Sequence, residues 1–322
     1  MKHLLHINGL DGPLLRQFGC ECGRCLGPDR QANTSASLLS LDDAGHTAHH
    51  LLFDAGHGVV DSLNDSPYLQ GPAARLDGIA LTHWHPDHVA ELNRLCVAEH
   101  HNRRQRGRRA GRVPLYARAG TVAWLAREQS HVLRTYLEPR LPAESEPPGT
   151  LLPPLPLDLP GVRVTPVSIG HYTADIAAGE SSGGDQTVFS TAAYVIATER
   201  AKAVLLWDID SENEWLAAPD EARATALDLL AGADFLLIDT TFWHRPRRRV
   251  THPSFENVLR YARMLKPRRT LLMHLSGHPD GPGNPGYGWT NAEWTAAASR
   301  IWAASDLTGT VMAPSVGMAF EL

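Results

Sequence analysis

Short apolar runs recur along the chain, and their spacing alternates between the strand period and the helix period. Residues 34–42 and 47–54 read as two strands joined by Asp43-Ala44-Gly45-His46, a hairpin signal, and the second ends in the sharp Asp54-Ala55-Gly56 turn. Residues 78–82 form a short buried strand that runs into His83. From Pro86 onward Val89, Leu92, Leu95 and Cys96 repeat at helical intervals, with Pro86 and Asp87 suited to a helix start. The pattern then predicts a strand over 113–117, a helix over 121–129, and strands over 162–169, 187–198, 201–208, 233–242 and 268–275. Helices are expected over 220–233, over 254–265 with Ser254 as N-cap, and over 291–304, with a last strand near 309–313. The loops are punctuated by composition: residues 138–160 hold eight Pro and exclude helix or central strand, while 179–186 and 277–288 are Gly-rich. No tandem repeat of solenoid period emerges, although the two β-rich parts could be similar halves packed together.

Composition narrows the classes. The chain has 322 residues, 43% hydrophobic and 20% charged, with a formal charge of −5. That length supports a large core without disulfides, and the apolar content excludes wholesale disorder. No run reaches the roughly 18 apolar residues of a membrane helix, and the first fifteen residues make a poor signal peptide. Mild acidity argues against a dedicated nucleic-acid binder, although residues 103–112 carry six Arg in ten, which reads as a solvated loop or as a phosphate-attracting patch.

Histidine is the conspicuous residue, with 17 copies against four Cys. His83, His85, Asp87 and His88 stand together in Thr-His-Trp-His-Pro-Asp-His, directly after an apolar strand. In extended chain, residues two apart point the same way, so His83 and His85 can bind one ion, and the following turn brings Asp87 and His88 to a neighbouring position. Three thiols, Cys20, Cys22 and Cys25, lie within six residues at a spacing that can converge on one tetrahedral ion. Cys96 reads as a small buried hydrophobe, and this usage points to a reducing, cytoplasmic compartment.

The His-x-His-x-Asp-His run resembles the signature of the metallo-β-lactamase superfamily, and the resemblance extends over nearly the whole chain. Asp54 looks like the family's acidic turn, and His171, Asp208 and His274 look like its later ligands, each ending an apolar strand. Asp210 competes for the bridging role, and Asp208 is preferred because it directly ends its strand. The resemblance implies one α/β domain over residues 1–322: a four-layer αβ/βα sandwich of two mixed sheets, with a Cys-rich zinc loop at 19–30 and a Pro-rich insertion at 138–160. It implies two divalent ions, Zn or Mn, with His83, His85 and His171 on one, Asp87, His88 and His274 on the other, and Asp208 shared.

A narrower resemblance, carried by GCxCxxC, RQANTSASLL and the His run, is to PhnP-type phosphodiesterases, which act on phosphoribosyl cyclic phosphate. It implies a structural zinc on Cys20, Cys22, Cys25 and His278, and a catalytic His252 beside the metal-bound Asp87, which shares the catalytic assignment. The expected activity is hydrolysis of a small cyclic phosphodiester by a metal-bridging hydroxide, with His252 protonating the departing alkoxide. The expected partner is that small molecule, with no membrane and no nucleic acid, in a chain that could form a homodimer. Competing expectations are an RNase Z-like endoribonuclease, a lactone or thioester hydrolase, and a non-catalytic relative of the pyrroloquinoline quinone biosynthesis type.

Overall fold

The computed structural model describes residues 1–71, 74–107, 111–140, 146–171, 174–175, 189–244 and 251–322. The predicted loop 179–186, Arg108 and Arg109 of the arginine run, and Arg245–Arg249 lie outside the described residues. Among the described residues thirteen strands build two sheets. In the first, β1 (Lys2–Gly9), β2 (Ser35–Leu41), β3 (Thr47–Phe53), β4 (Gly78–Ala80), β5 (Val113–Tyr116) and β6 (Leu137–Arg140) follow one another, and β13 (Ala319–Glu321) pairs outside β1. The second sheet runs in space β12-β11-β10-β9-β8-β7, made of β7 (Val162–Ile169), β8 (Thr191–Thr198), β9 (Lys202–Leu206), β10 (Phe235–Asp239), β11 (Arg269–Met273) and β12 (Thr310–Met312).

Each sheet is antiparallel at one side and parallel at the other: β1, β2 and β3 alternate in direction and β3 to β6 are parallel, while β7, β8 and β9 alternate and β9 to β12 are parallel. The mixed sheets and the similar halves are therefore both present. Leu5, Ile7, Leu38 and Phe53 of the first sheet meet Val167, Ile169, Ala193 and Val195 of the second in one dry cluster. Phe53 and Tyr194 touch across it with ring centroids 5.3 Å apart. Each buried Leu or Phe contributes about 1.5–3 kcal/mol to this packing. Helices cover the outer faces. Residues Leu92–Gln105 bury Leu92, Leu95 and Cys96 on the first sheet, and Phe255–Leu265 and Asn291–Ala303 bury Val258, Tyr261, Trp294 and Trp302 on the second.

Several boundaries differ from the sequence expectation. The helix after the His run is two helices, Pro86–Val89 and Leu92–Gln105, and the second extends into the arginine run. Its Arg103 binds Glu99 and the carbonyls of Leu76 and Gly111, and Arg106 binds the carbonyls of Ala74 and Gly71. These two guanidiniums fasten the chain to itself, while Arg104 and Arg112 are exposed. The expected helix 220–233 is a short 3-10 turn followed by Ala224–Leu230. The Pro-rich stretch is more than a surface connection: Leu137–Arg140 is an edge strand, and Leu152 and Leu155 donate backbone bonds to Pro166 and Val164 of β7. This covers the outer edge of the second sheet and buries Leu152, Leu155 and Leu159. No helix among the described residues is long and apolar enough to cross a membrane.

Candidate metal centre and active site

The parallel strands of both sheets end at one edge of the sandwich, and the functional side chains sit on the residues just beyond those ends. Asp54 follows β3, His83 follows β4, His171 follows β7, Asp208 follows β9, Asp239 ends β10 and His274 follows β11. Asp54, Asp208, His252 and His274 all have left-handed backbone, with φ of 59°, 56°, 63° and 56°. Such conformations cost about 1–3 kcal/mol each in non-glycine residues and persist only where the surroundings hold them.

His83, His85, His171 and Asp208 converge as one group, and Asp87, His88, Asp208 and His274 as a second. In the first, His171 Nε2 is 3.3 Å from His85 Nδ1, and Asp208 Oδ2 is 3.6 Å from His83 Nε2 and 4.0 Å from His171 Nε2. In the second, Asp87 Oδ2 lies 3.4 Å from His88 Nε2 and 3.3 Å from His274 Nε2, while Asp208 Oδ2 lies 3.3 and 3.2 Å from the same nitrogens. A tetrahedral ion with bonds of about 2.1 Å spaces its donors about 3.4 Å apart, so both groups fit a divalent cation. His83 Nε2, His88 Nε2 and Asp208 Oδ1 are buried and make no hydrogen bond among the described residues, which a dry protein interior tolerates poorly unless a cation takes them up.

The imidazoles are oriented from behind. His88 Nδ1 donates to Asp54 Oδ2 at 2.9 Å. Asp54 also accepts from Thr82 N, Thr82 Oγ1 and Trp207 Nε1 at 2.8, 2.7 and 2.7 Å. Because Thr82 spends its hydroxyl proton on Asp54, its oxygen accepts from His83 Nδ1 at 3.1 Å. Thr241 Oγ1 in turn donates to Asp239 and accepts from His274 Nδ1 at 2.8 Å. All three rings therefore carry the proton on Nδ1 and present Nε2 to the centre. His171 is held by its backbone, whose N–H donates to Asp175 Oδ2 at 3.0 Å. Gly12 lies flat on His274: a Cβ there would sit 3.1 Å from Cε1 of that ring.

The electrostatics separate the histidines. Burial holds His83 and His171 well below the ordinary imidazole range and His85 down to about 4, so these three are neutral. At His88 and His274 burial acts in the same direction, but the Asp208 and Asp87 carboxylates outweigh it. His88 is held well above the ordinary range and His274 is raised to about 9. The carboxylates of Asp87 and Asp208 draw positive charge to that side of the site, which suits cation binding.

His252 stands over this centre. Its ring stacks on His274 with centroids 4.7 Å apart and lies 5.1 Å from that of His171. Its Nδ1 donates to Asp239 Oδ2 at 2.8 Å, which leaves Nε2 free to exchange a proton. At a separate place Cys20, Cys22, Cys25 and His278 gather, with His278 Nε2 3.3 Å from Cys25 Sγ and 3.7 Å from Cys22 Sγ. The Cys22 N–H and the Tyr287 hydroxyl pull the Cys20 thiol down to about 6, whereas burial pushes Cys25 up to about 11.

Every metal-ligand candidate named from the sequence is thus brought into one of three clusters, and His278 reaches the thiols. Asp208 takes the shared position, while Asp210 pairs through its backbone with Thr251. Sequence reasoning missed Asp239, Thr241, Thr82, Trp207, Asp175 and Gly12. Only Asp239 carried a signal, as the acid that ends the apolar run Phe-Leu-Leu-Ile.

The family profile described as a β-lactamase superfamily domain matches residues 49–275. No curated protein matches the sequence. Among solved structures, a diphosphatase of the PhnP family superposes with a TM-score of 0.64 at 19% identity, covering 100% of this chain and 98% of the other. Zinc-bound PqqB of Methylobacterium extorquens superposes at 0.65 with 17% identity, over 99% and 100% of the two chains. The short form of human tRNase Z superposes at 0.57 with 15% identity, over 98% of each. At these identities the likeness is one of fold.

Proposed function

Because the chain belongs to the metallo-β-lactamase superfamily, we propose that it is a binuclear metal-dependent hydrolase acting on a small phosphodiester, of which a phosphoribosyl-type cyclic phosphate is our leading candidate. The observation that carries this reading is the pair of four-donor clusters sharing Asp208, with an Asp239-bound His252 stacked beside them. His83, His85, His171 and Asp208 would hold one cation, and Asp87, His88, His274 and Asp208 the other. Bound there, two divalent cations lower the pKa of water toward neutrality and offset charge on phosphoryl oxygens. The nitrogen and oxygen donors suit Zn or Mn, and the three thiols with His278 suit a structural Zn.

The chain's own residues supply the rest. As the oxygen of a water that has released a proton to solvent forms the new bond to phosphorus, the ester P–O bond breaks and its electron pair leaves with the alkoxide. His252, held at Nδ1 by the Asp239 carboxylate, protonates that oxygen from Nε2. Asp87, our second catalytic assignment, keeps its carboxylate at the cleft with its side chain 10% exposed. A small substrate is favoured over RNA by the formal charge of −5, with Arg103 and Arg106 of the arginine run turned to backbone carbonyls. The unpaired thiols agree with a reducing, cytoplasmic compartment. A homodimer is compatible with this reading.

The test is a side-by-side assay of the metal-loaded protein on bis(p-nitrophenyl) phosphate, a ribose cyclic phosphate, a lactone, a thioester and a pre-tRNA. Turnover of the phosphodiesters with none of the lactone or thioester is expected. Efficient cleavage of pre-tRNA, lactone or thioester with no turnover of the ribose cyclic phosphate would overturn the assignment.

A further inference from the structure

The loop 277–288 has two attachments of different kinds. At one end His278 turns into the thiol cluster, and Gly288 packs against Cys22. Two residues after His278, Asp280 faces the other way. Its Oδ2 accepts from the backbone N–H of Trp243 at 2.8 Å and its Oδ1 from that of His244 at 3.2 Å. The fit depends on residue 286 being glycine: its φ is 95°, and a Cβ there would lie 2.4 Å from Asp280 Oδ2 and 2.7 Å from Trp243 Cβ.

Trp243 leads directly to His252. Its indole lies parallel to the Phe255 ring, with centroids 4.9 Å apart and planes within 4°. The neighbouring Phe242 accepts from Phe255 N at 2.9 Å and donates to the Pro253 carbonyl at 3.3 Å. His252 is thus followed by residues bound to the pair 242–243, and its own backbone is left-handed. A strained residue keeps its conformation only while its neighbours are fixed. Asp239 fixes the ring at Nδ1, and on the far side the backbone is fixed by the Ser254–Asn257 capping box together with the segment that Asp280 holds.

We propose that Asp280 is a positioning residue for His252, tying the loop anchored at the Cys20, Cys22, Cys25 and His278 cluster to the segment that carries the proton donor. The inference rests on the role given to His252 above. It makes the thiol-bound ion a contributor to proton transfer as well as to folding, because His278 and Asp280 share one loop.

The experiment follows the downfield Nδ1 proton of His252 by NMR in the metal-loaded protein, identified by its loss in His252→Ala. In Asp280→Ala and in His278→Ala this proton should exchange with solvent at least about ten-fold faster, while the two active-site ions remain bound by elemental analysis. Asp280→Asn keeps one acceptor and should be intermediate. Should Asp280→Ala fail to fold, Gly286→Ala displaces the same carboxylate without removing it. In turnover, Asp280→Ala should lose about ten-fold on a ribose cyclic phosphate, whose alkoxide needs a proton. It should lose less than about two-fold on bis(p-nitrophenyl) phosphate, whose leaving group does not. Combined with His252→Ala it should add nothing. Unchanged proton exchange, or equal losses on both substrates, overturns the proposal for Asp280. Equal losses in His252→Ala itself would instead overturn the role of His252.

Discussion

Asp54→Asn is the sharpest perturbation of the centre, because it changes a charge and almost no shape. Asp54 is fully buried, and its left-handed backbone is one that Asn adopts equally well, so the fold has no steric reason to move. Its Oδ2 accepts from Thr82 Oγ1, His88 Nδ1 and Trp207 Nε1, and its Oδ1 from Thr82 N. An amide has one acceptor oxygen. Placed at Oδ2 it keeps three donors, but its NH2 then faces the Thr82 N–H, where the present distance is 2.8 Å. The reverse flip would set the NH2 against three donors, so the first arrangement wins. It leaves two opposed buried donors, each costing about 1–3 kcal/mol, for a total loss of roughly 2–6 kcal/mol in stability.

The more specific consequence falls on His88. With a neutral partner its Nδ1–H is less polarised and Nε2 is a poorer donor, so the affinity of the Asp87/His88/His274 group for its ion should fall about 10–100-fold. The His83 group feels Asp54 only through the Thr82 hydroxyl and should change far less. Dialysis against buffered free metal, with elemental analysis, should show one ion lost well before the other, and urea unfolding at saturating metal gives the stability change. An Asp54→Asn protein that loses stability yet binds both ions as tightly as the parent would refute the claim that Asp54 tunes the second group.

Two further outcomes follow from groups outside the centre. His50 is buried, donates from Nδ1 to the Arg75 carbonyl and accepts at Nε2 from Ser37, and burial lowers it to about 4 from an ordinary 6.5. Above about pH 6.5 it is neutral folded or unfolded; as pH falls toward 4 only the unfolded chain gains the proton, so up to about 3 kcal/mol of stability is lost. His50→Gln should therefore be less destabilising at pH 4.5 than at pH 7 in urea unfolding, and an equal penalty at both would sink this reading. Native metal-loaded protein should expose almost no thiol to a disulfide reagent, because an ion in the cluster would hold Cys20, Cys22 and Cys25, and Cys96 is buried. Rapid reaction of three thiols in that state would eliminate the thiol-bound site.

What was legible in the sequence has a physical pattern. A donor that ends an apolar strand announces itself, because the strand is a local signal and its C-terminal end is where this kind of sheet builds its site. His83, His171, Asp208 and His274 all qualify. Thr82 and Thr241 do not, since a threonine beside a strand end acquires meaning only when an imidazole from the same edge reaches its hydroxyl. β1 is hidden for a different reason. Its outward face carries His6 and Asn8, which are buried in a polar chain running through Ser37 to His50, so a strand of the core interrupts its own apolar pattern. β13 is too short to register and exists because it pairs with β1 across nearly the whole sequence. The division of the helix after the His run was equally illegible, because the break lies where Glu91 N reaches back to the Ala55 carbonyl.

The left-handed residues explain how two separate sheets can supply one centre. A strand leaving its sheet with ordinary backbone continues outward, and its next side chain alternates between core and surface. Reversing φ at Asp54, Asp208 and His274 turns the chain at the edge, so that Asp208 and His274 from the second sheet meet Asp87 and His88, which follow β4 of the first. The cost must be met by contacts that exist only after the sheets have packed. Trp207 supplies one, reaching from β9 across the interface to Asp54 beyond β3. The buried Asp11–Arg24 ion pair supplies another: Asp11 precedes the Gly12 that lies on His274, and Arg24 lies between Cys22 and Cys25. Donor geometry, sheet packing and the thiol cluster are therefore one cooperative arrangement, in which strain at the donors is balanced by contacts between the halves.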